Sequence, residues 1–309
     1  MTTSLSRRLS IVFGTLVSLT GLGYVLHLVG KEYAAIEPML GEADPLLLVG
    51  ALALTMAAMA SIGTVWQRIV MDMHCRLPLA TALRAYFLGQ LGKYVPGGAF
   101  AIIGRSEWAH RAGASRTVAY TSTVISVTSA YFAASLVTSL ALVLGARPHG
   151  SVYLLVPVLG LAPVGLLLAH QHVRAVLHVH RVPLLTRCLS ALPAGSRILK
   201  FSLAQVPAWL LLAAATWIIA NALGVDLPIA NTLLATAVSW TLGFLFLPAP
   251  GGIGVREATF VLLLNGDGSV AAVALLARLT CVAADVMGAA TSSATCFVIQ
   301  RCVSCPPAS

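Results

Sequence analysis

Six ionisable residues stand in or beside long apolar stretches of this chain: Lys93, Arg105, Arg256, Glu257, Arg278 and Asp285. Such groups are costly inside an apolar span unless they pair with one another or line a wetted cavity. Four of them flank two breaks in the apolar pattern. Leu242 to Glu257 reads L-G-F-L-F-L-P-A-P-G-G-I-G-V-R-E, with Pro250, Gly251, Gly252 and Gly254 ahead of Arg256 and Glu257. Leu91 to Glu107 reads L-G-K-Y-V-P-G-G-A-F-A-I-I-G-R-S-E, a looser copy with Lys93 before Pro96, Gly97 and Gly98, and Arg105 after them. Proline removes a backbone donor, and non-helical backbone at membrane depth survives only buried in protein or along a cavity. Amides at the start of each returning half-helix, the planar forks of Arg105 and Arg256, and the point charge of Lys93 suit an anionic group such as a phosphate. The competing reading pairs Arg256 with Glu257 or another acid as a clamp on the break. Arg278 and Asp285, seven positions apart, fall on one helix face. They either complete a polar cavity with Arg256 and Glu257, couple to protons through Asp285 or Glu257, or form fixed salt bridges to the broken segment.

These residues sit in 309 that are 58% hydrophobic and 9% charged, with a mean hydropathy of +0.90, which excludes an ordinary soluble domain. The net charge of +9 collects in a few loops beside apolar segments, a topology signal rather than a nucleic-acid footprint. Cys75, Cys188, Cys281 and Cys296 are scattered, and the Cys302–Cys305 pair has no second pair for a tetrahedral metal. His170, His172, His178 and His180 lack nearby carboxylates and read as a headgroup-facing surface. Tyr94, Trp108 and Trp240 read as interfacial anchors. Catalytic, P-loop and dinucleotide signatures are absent, so no cofactor is expected.

The elements that position the six residues follow from apolar run lengths, about 20 residues being enough to cross the hydrocarbon core. The pattern predicts an all-α integral membrane protein with six full spans: Leu9–Gly30, Pro45–Trp66, Thr117–Gly145, Val152–His170, Phe201–Leu223 and Val270–Ile299. Lys31–Asp44 reads as a loop. Residues 170–200 read as an amphipathic surface piece. Two re-entrant hairpins complete the set: Leu79–Val95 with its return past Pro96-Gly97-Gly98, and Ile229–Leu247 with its return Val255–Leu264. At roughly 15 Å, ten helical residues are too short to cross alone. Basic residues at 7–8, 68–76, 105–116, 174–200 and 301 then share one side, which is the cytoplasm, with both termini there. The whole chain is one polytopic domain, and residues 1–150 and 151–309 form two halves inverted about an axis in the membrane plane.

The two broken segments resemble those of the transmembrane region of lysylphosphatidylglycerol synthases. The resemblance is carried by Gly92, Lys93, Tyr94, Pro96, Gly97, Gly98, Gly104 and Arg105 in the first copy, and by Pro250, Gly251, Gly252, Gly254, Arg256 and Glu257 in the second. It implies a flippase-like region, with an anionic lipid or lipid-linked precursor moved across the cytoplasmic membrane. The fused synthases carry a soluble aminoacyl-transfer domain with no counterpart before Ser309, so lysyl transfer is not expected. Two other readings remain: a lipid-headgroup enzyme using Glu107 or Glu257 with a histidine, and a non-transporting partner of a separate synthase or glycosyltransferase.

Overall fold

The computed structural model describes His27, Gly30 and residues 33–94, 100–149, 195–246 and 250–304, the side chains of 33–36, Phe100, Pro250 and 298–304 excepted. Every element among them is helical: α1 (Tyr33–Gly41), α2 (Pro45–Asp72), α3 (Leu79–Leu91), α4 (Phe100–Arg111), α5 (Arg116–Val143), α6 (Gly195–Ala222), α7 (Ile229–Leu245), α8 (Val255–Leu264) and α9 (Gly268–Ser304). Single 3-10 turns, Gly92–Tyr94 and Pro250–Gly252, follow α3 and precede α8.

Local chemistry sets the ends. The Asp44 side chain accepts from the Leu46 amide at 2.8 Å, with Pro45 in the first turn of α2, where its missing amide proton costs nothing. Ser115 caps α5 through the Val118 amide. Asn265, in the left-handed conformation, ends α8, and two residues later Asp267 accepts from the amides of Ser269 and Val270 to start α9. Helices α2, α5, α6 and α9 are long and apolar enough to cross a membrane. At 13, 12 and 10 residues, α3, α4 and α8 reach only about 15–20 Å, well short of a hydrocarbon core of about 30 Å.

Contacts between helix ends define two faces of the bundle. On one, Arg197 at the start of α6 reaches Asp72 at the end of α2 (3.3 Å), and Thr81 at the start of α3 meets Cys296 near the end of α9 (4.0 Å). On the other, the Arg147 amide donates to Asn231 Oδ1 and the His149 amide to the Leu263 carbonyl, both at 2.9 Å, which joins the end of α5 to the start of α7 and the end of α8. Helices α3 and α4 pack against each other and open on the first face; α7 and α8 pack together and open on the second. The 3-10 turns at the inner ends of the two pairs touch. Helix α9 is their common wall: Phe87 of α3 covers Gly288 so closely that an added Cβ would lie 2.6 Å from Phe Cζ, while α8 runs beside the first half of α9.

Small hydroxyl residues let the helices approach. In α5, Thr123, Ser129 and Thr138 return their hydroxyls to carbonyls one turn back, at 2.7–2.9 Å, and so present a small surface to the neighbouring helices. The helix order also recurs: long helices start at 45 and 195, short helices at 79 and 229, and long helices again at 116 and 268.

Several expectations change. Lys31–Asp44 is not all loop, because Tyr33–Gly41 is helical, its Ala34, Ala35, Glu37, Met39 and Leu40 being good helix formers that tolerate Pro38. Helix α2 continues six residues past Trp66, burying Ile69 and Val70 while Arg68 stays exposed. Helix α6 starts at Gly195, ahead of the expected Phe201, and keeps Arg197 and Lys200 exposed. Four of the six expected spans correspond to α2, α5, α6 and α9. The spans at 9–30 and 152–170, most of the surface segment with its histidines, and Pro96, Gly97 and Gly98 lie outside the described residues.

Candidate functional site

Where the two turns meet, α9 presents Arg278 toward one pair and Asp285 toward the other. Arg278 Nη1 donates to the Gly251 carbonyl at 2.8 Å, and its Nε stands 3.9 Å from Glu257 Oε1. Gly251, Gly252 and Gly254 all have positive φ (56°, 70° and 81°), which glycine adopts without the steric penalty of a side chain. The resulting bend frees the Gly251 carbonyl that Arg278 takes up. Asp285, 0% exposed, accepts from Tyr94 Oη at 2.7 Å on Oδ2, and Lys93 Nζ forms an ion pair with the same oxygen at 2.5 Å. Arg278 therefore holds the break before α8, and Asp285 the end of α3.

Glu257 is turned inward. Its Oε2 accepts the Gly254 amide at 2.7 Å, so the N-terminus of α8 is capped from within the chain rather than left for an external anion. The pairing of Arg256 with Glu257 weighed from sequence is replaced by another arrangement. Arg256 lays its guanidinium over the Trp240 ring at 3.5 Å from the centroid, its stem resting on Gly243, where there is no Cβ to displace it.

Arg105 is the unusual member of the set. It is 5% exposed, and no carboxylate lies within ion-pair distance of it among the described residues. Its guanidinium faces Tyr86 (4.7 Å) and Trp66 (5.6 Å), Nη1 reaches Ser126 Oγ only at 3.5 Å, and Nε is unpartnered. Helix α4 can carry it this deep because Gly89 lets the backbone of α3 close directly on Arg105. A cavity of about 90 Å³ lies beside it, lined by Arg105, Lys93, Tyr86, Gln90 and Ser126 on its polar side and by Tyr131, Trp209, Trp240 and Phe244 among its apolar residues. Phe244 is exposed at the rim.

Lys93 and Arg105 thus share this cavity; Arg256, Glu257 and Arg278 line a second, smaller one; and Asp285 ties the first helix pair to α9. Of the three aromatics read as anchors, Tyr94 binds Asp285 and Trp240 lines both cavities. Trp108 stacks between Arg84 and Arg111 on the outer part of α4. Glu107 faces Arg116 at 3.7 Å and is partly exposed. Tyr86 and Gln90 escaped the sequence reading, although their spacing of four, followed by Lys93 and Tyr94, marks one polar stripe on an otherwise apolar helix; Gln90 donates to Tyr86 Oη at 2.6 Å.

Residues 11–288 match the family described as lysylphosphatidylglycerol synthase TM region. The chain belongs to that family. The match spans both broken segments and every element that lines the two cavities, and it assigns the protein to multi-pass membrane proteins with a lipid-related role. Comparison with curated proteins gives no match to this sequence.

Proposed function

We propose that this protein moves an anionic lipid, or a lipid-linked precursor, between the leaflets of the cytoplasmic membrane. The observation that carries the reading is Arg105, a buried guanidinium with no carboxylate in ion-pair distance among the described residues, beside a cavity that it shares with Lys93. A buried, uncompensated cation costs several kcal/mol, on the order of what a bound anion would return. A headgroup phosphate takes the Arg105 fork and draws Lys93 away from Asp285, while the acyl chains stay in the bilayer beyond Phe244.

In this reading α3–α4 and α7–α8 are re-entrant hairpins of two inverted halves, 1–150 and 151–309. Their opening on opposite faces with touching tips supports alternating access, in which one pair loosens while the other stays shut. Arg68, Arg76, Arg111, Arg116, Arg197 and Lys200 belong to the α3–α4 face, against Arg147 on the other among the described residues. That asymmetry supports a cytoplasmic α3–α4 face and cytoplasmic termini. Glu257 and Glu107, the carboxylates an enzyme reading would use, are engaged by the Gly254 amide and Arg116.

The test is reconstitution into liposomes carrying headgroup-labelled phosphatidylglycerol, with an impermeant reductant reporting label in the outer leaflet. Full loss of signal is expected with the wild-type chain, and half with Arg105→Gln. Equal loss with and without protein, across phosphatidylglycerol and a polyprenyl-phosphate probe, would refute transport; a new lipid species in the mass spectrum would move the assignment to an enzyme.

A further inference from the structure

The second cavity lies between α6, α7, α8 and α9 and has a volume of about 30 Å³, against about 90 Å³ for the first. It is the tighter of the two, with room for a small ion or a few waters. Its wall holds two guanidinium groups, Arg256 and Arg278, against one carboxylate, Glu257, so the lining carries one positive charge in excess. Glu257 does not offset this fully, because its Oε2 is committed to the Gly254 amide and its Oε1 stands 3.9 Å from Arg278.

Two donors on residues that line this space have no partner. Arg278, 8% exposed, uses Nη1 on the Gly251 carbonyl, while its Nη2 has no hydrogen bond. Thr236, 3% exposed, has a free Oγ1. The other hydroxyls are already used: Ser239 donates to the Thr236 carbonyl and Thr216 to the Leu212 carbonyl. A buried N–H or O–H left unmet is costly, and a buried net charge more so. A water would meet the donors but leave the charge; a cation would add to it. One small monovalent anion meets both needs.

We propose that this cavity is a halide-sized anion site, with chloride as the physiological occupant, held by Arg278 Nη2, Thr236 Oγ1 and the Arg256 guanidinium. It is separate from the larger cavity, with Trp240 between them, and does not depend on the lipid reading. The bound ion screens Arg256 from Arg278 and so holds α7 and α8 against α9.

The test uses the full chain in detergent, with sodium chloride exchanged for sodium gluconate at constant ionic strength, since gluconate is too large for the space. Chloride should raise the thermal midpoint with a saturating dependence, and Thr236→Val should shift the half-saturating concentration up about tenfold, the loss of one hydrogen bond to a charged partner. Bromide, a heavy-atom quencher, should quench tryptophan fluorescence with the same saturation. Trp240→Phe should remove that quenching while keeping the chloride-dependent midpoint. Identical midpoints in chloride and gluconate would mean a water-only pocket and overturn the proposal. So would a chloride response that Thr236→Val leaves unchanged and Arg105→Gln abolishes, which would put the anion in the larger cavity.

Discussion

Replacing Arg105 with methionine separates binding from folding, because the structure gives this side chain little that stabilises the apo protein. Its favourable contacts are two cation–aromatic approaches, to Tyr86 and Trp66, and one long hydrogen bond to Ser126. Together these contribute on the order of 2–4 kcal/mol. Against them stands desolvation of a guanidinium that meets no carboxylate among the described residues, an effective penalty of several kcal/mol. Methionine has similar length, leaves no charge to bury and keeps the contact with Gly89. Arg105→Met should therefore unfold at the wild-type temperature or above it in lipid-free detergent, while losing lipid movement and the anionic lipid that copurifies with the wild type. Arg105→Lys should keep part of the lipid binding and lose most of the movement, since an ammonium lacks the planar fork. Thermal unfolding with phospholipid removed, mass spectrometry of bound lipid and the liposome assay give the three readouts. A fall in stability of several kcal/mol in Arg105→Met, or unchanged lipid movement, would refute the argument that this cation awaits an anion.

Other consequences follow from the same geometry. Lys93→Met and Asp285→Asn should each destabilise the protein by about 3–5 kcal/mol by stranding a buried partner, and the double variant should recover much of the loss; additive losses in a thermal double-mutant cycle would show that the ion pair is not coupled. In Gly89→Ala the new Cβ would sit 2.7–2.8 Å from the backbone of Arg105, so α3 and α4 must part and the protein should lose about 1–3 kcal/mol or more, whereas Gly104→Ala, whose Cβ would meet Gly89 Cα at 3.4 Å, should be mild. Asp267→Ala should cost about 1 kcal/mol as a lost cap on α9. The Ser269 hydroxyl and the amides of Ser269 and Val270 hold the Asp267 carboxyl below its ordinary range, so its contribution is present above the unfolded carboxylate value and fades as pH falls through the lower folded value; thermal midpoints from pH 7 downward check the sign. Single cysteines at Ser4 and Ser309 should be shielded from an impermeant thiol reagent in intact cells and one at Glu37 should react; labelling of either terminus would overturn the orientation.

The sequence by itself determined whatever depends on neighbours a few positions away. The return helix Val255–Leu264 lies where the apolar run and its flanking Gly254 and Asn265 put it, and the break in the α-helical pattern over 250–254 follows from Pro250 and three glycines. The six ionisable residues were legible as a set because charge inside an apolar run is conspicuous. Their partners were not. Asp285 binds Tyr94, 191 positions earlier, and Arg278 takes the Gly251 carbonyl, 27 positions earlier, while Glu257, adjacent to Arg256, turns away to the Gly254 amide. Trp240, which reads as an interfacial anchor, lies under Arg256 between the cavities because Gly243, one turn on, leaves space for the arginine stem. Adjacency on a helix sends consecutive side chains about 100° apart, so which charge meets which is decided by the helices that pack around them, and only the closure of α3 and of α8 on α9 supplies that.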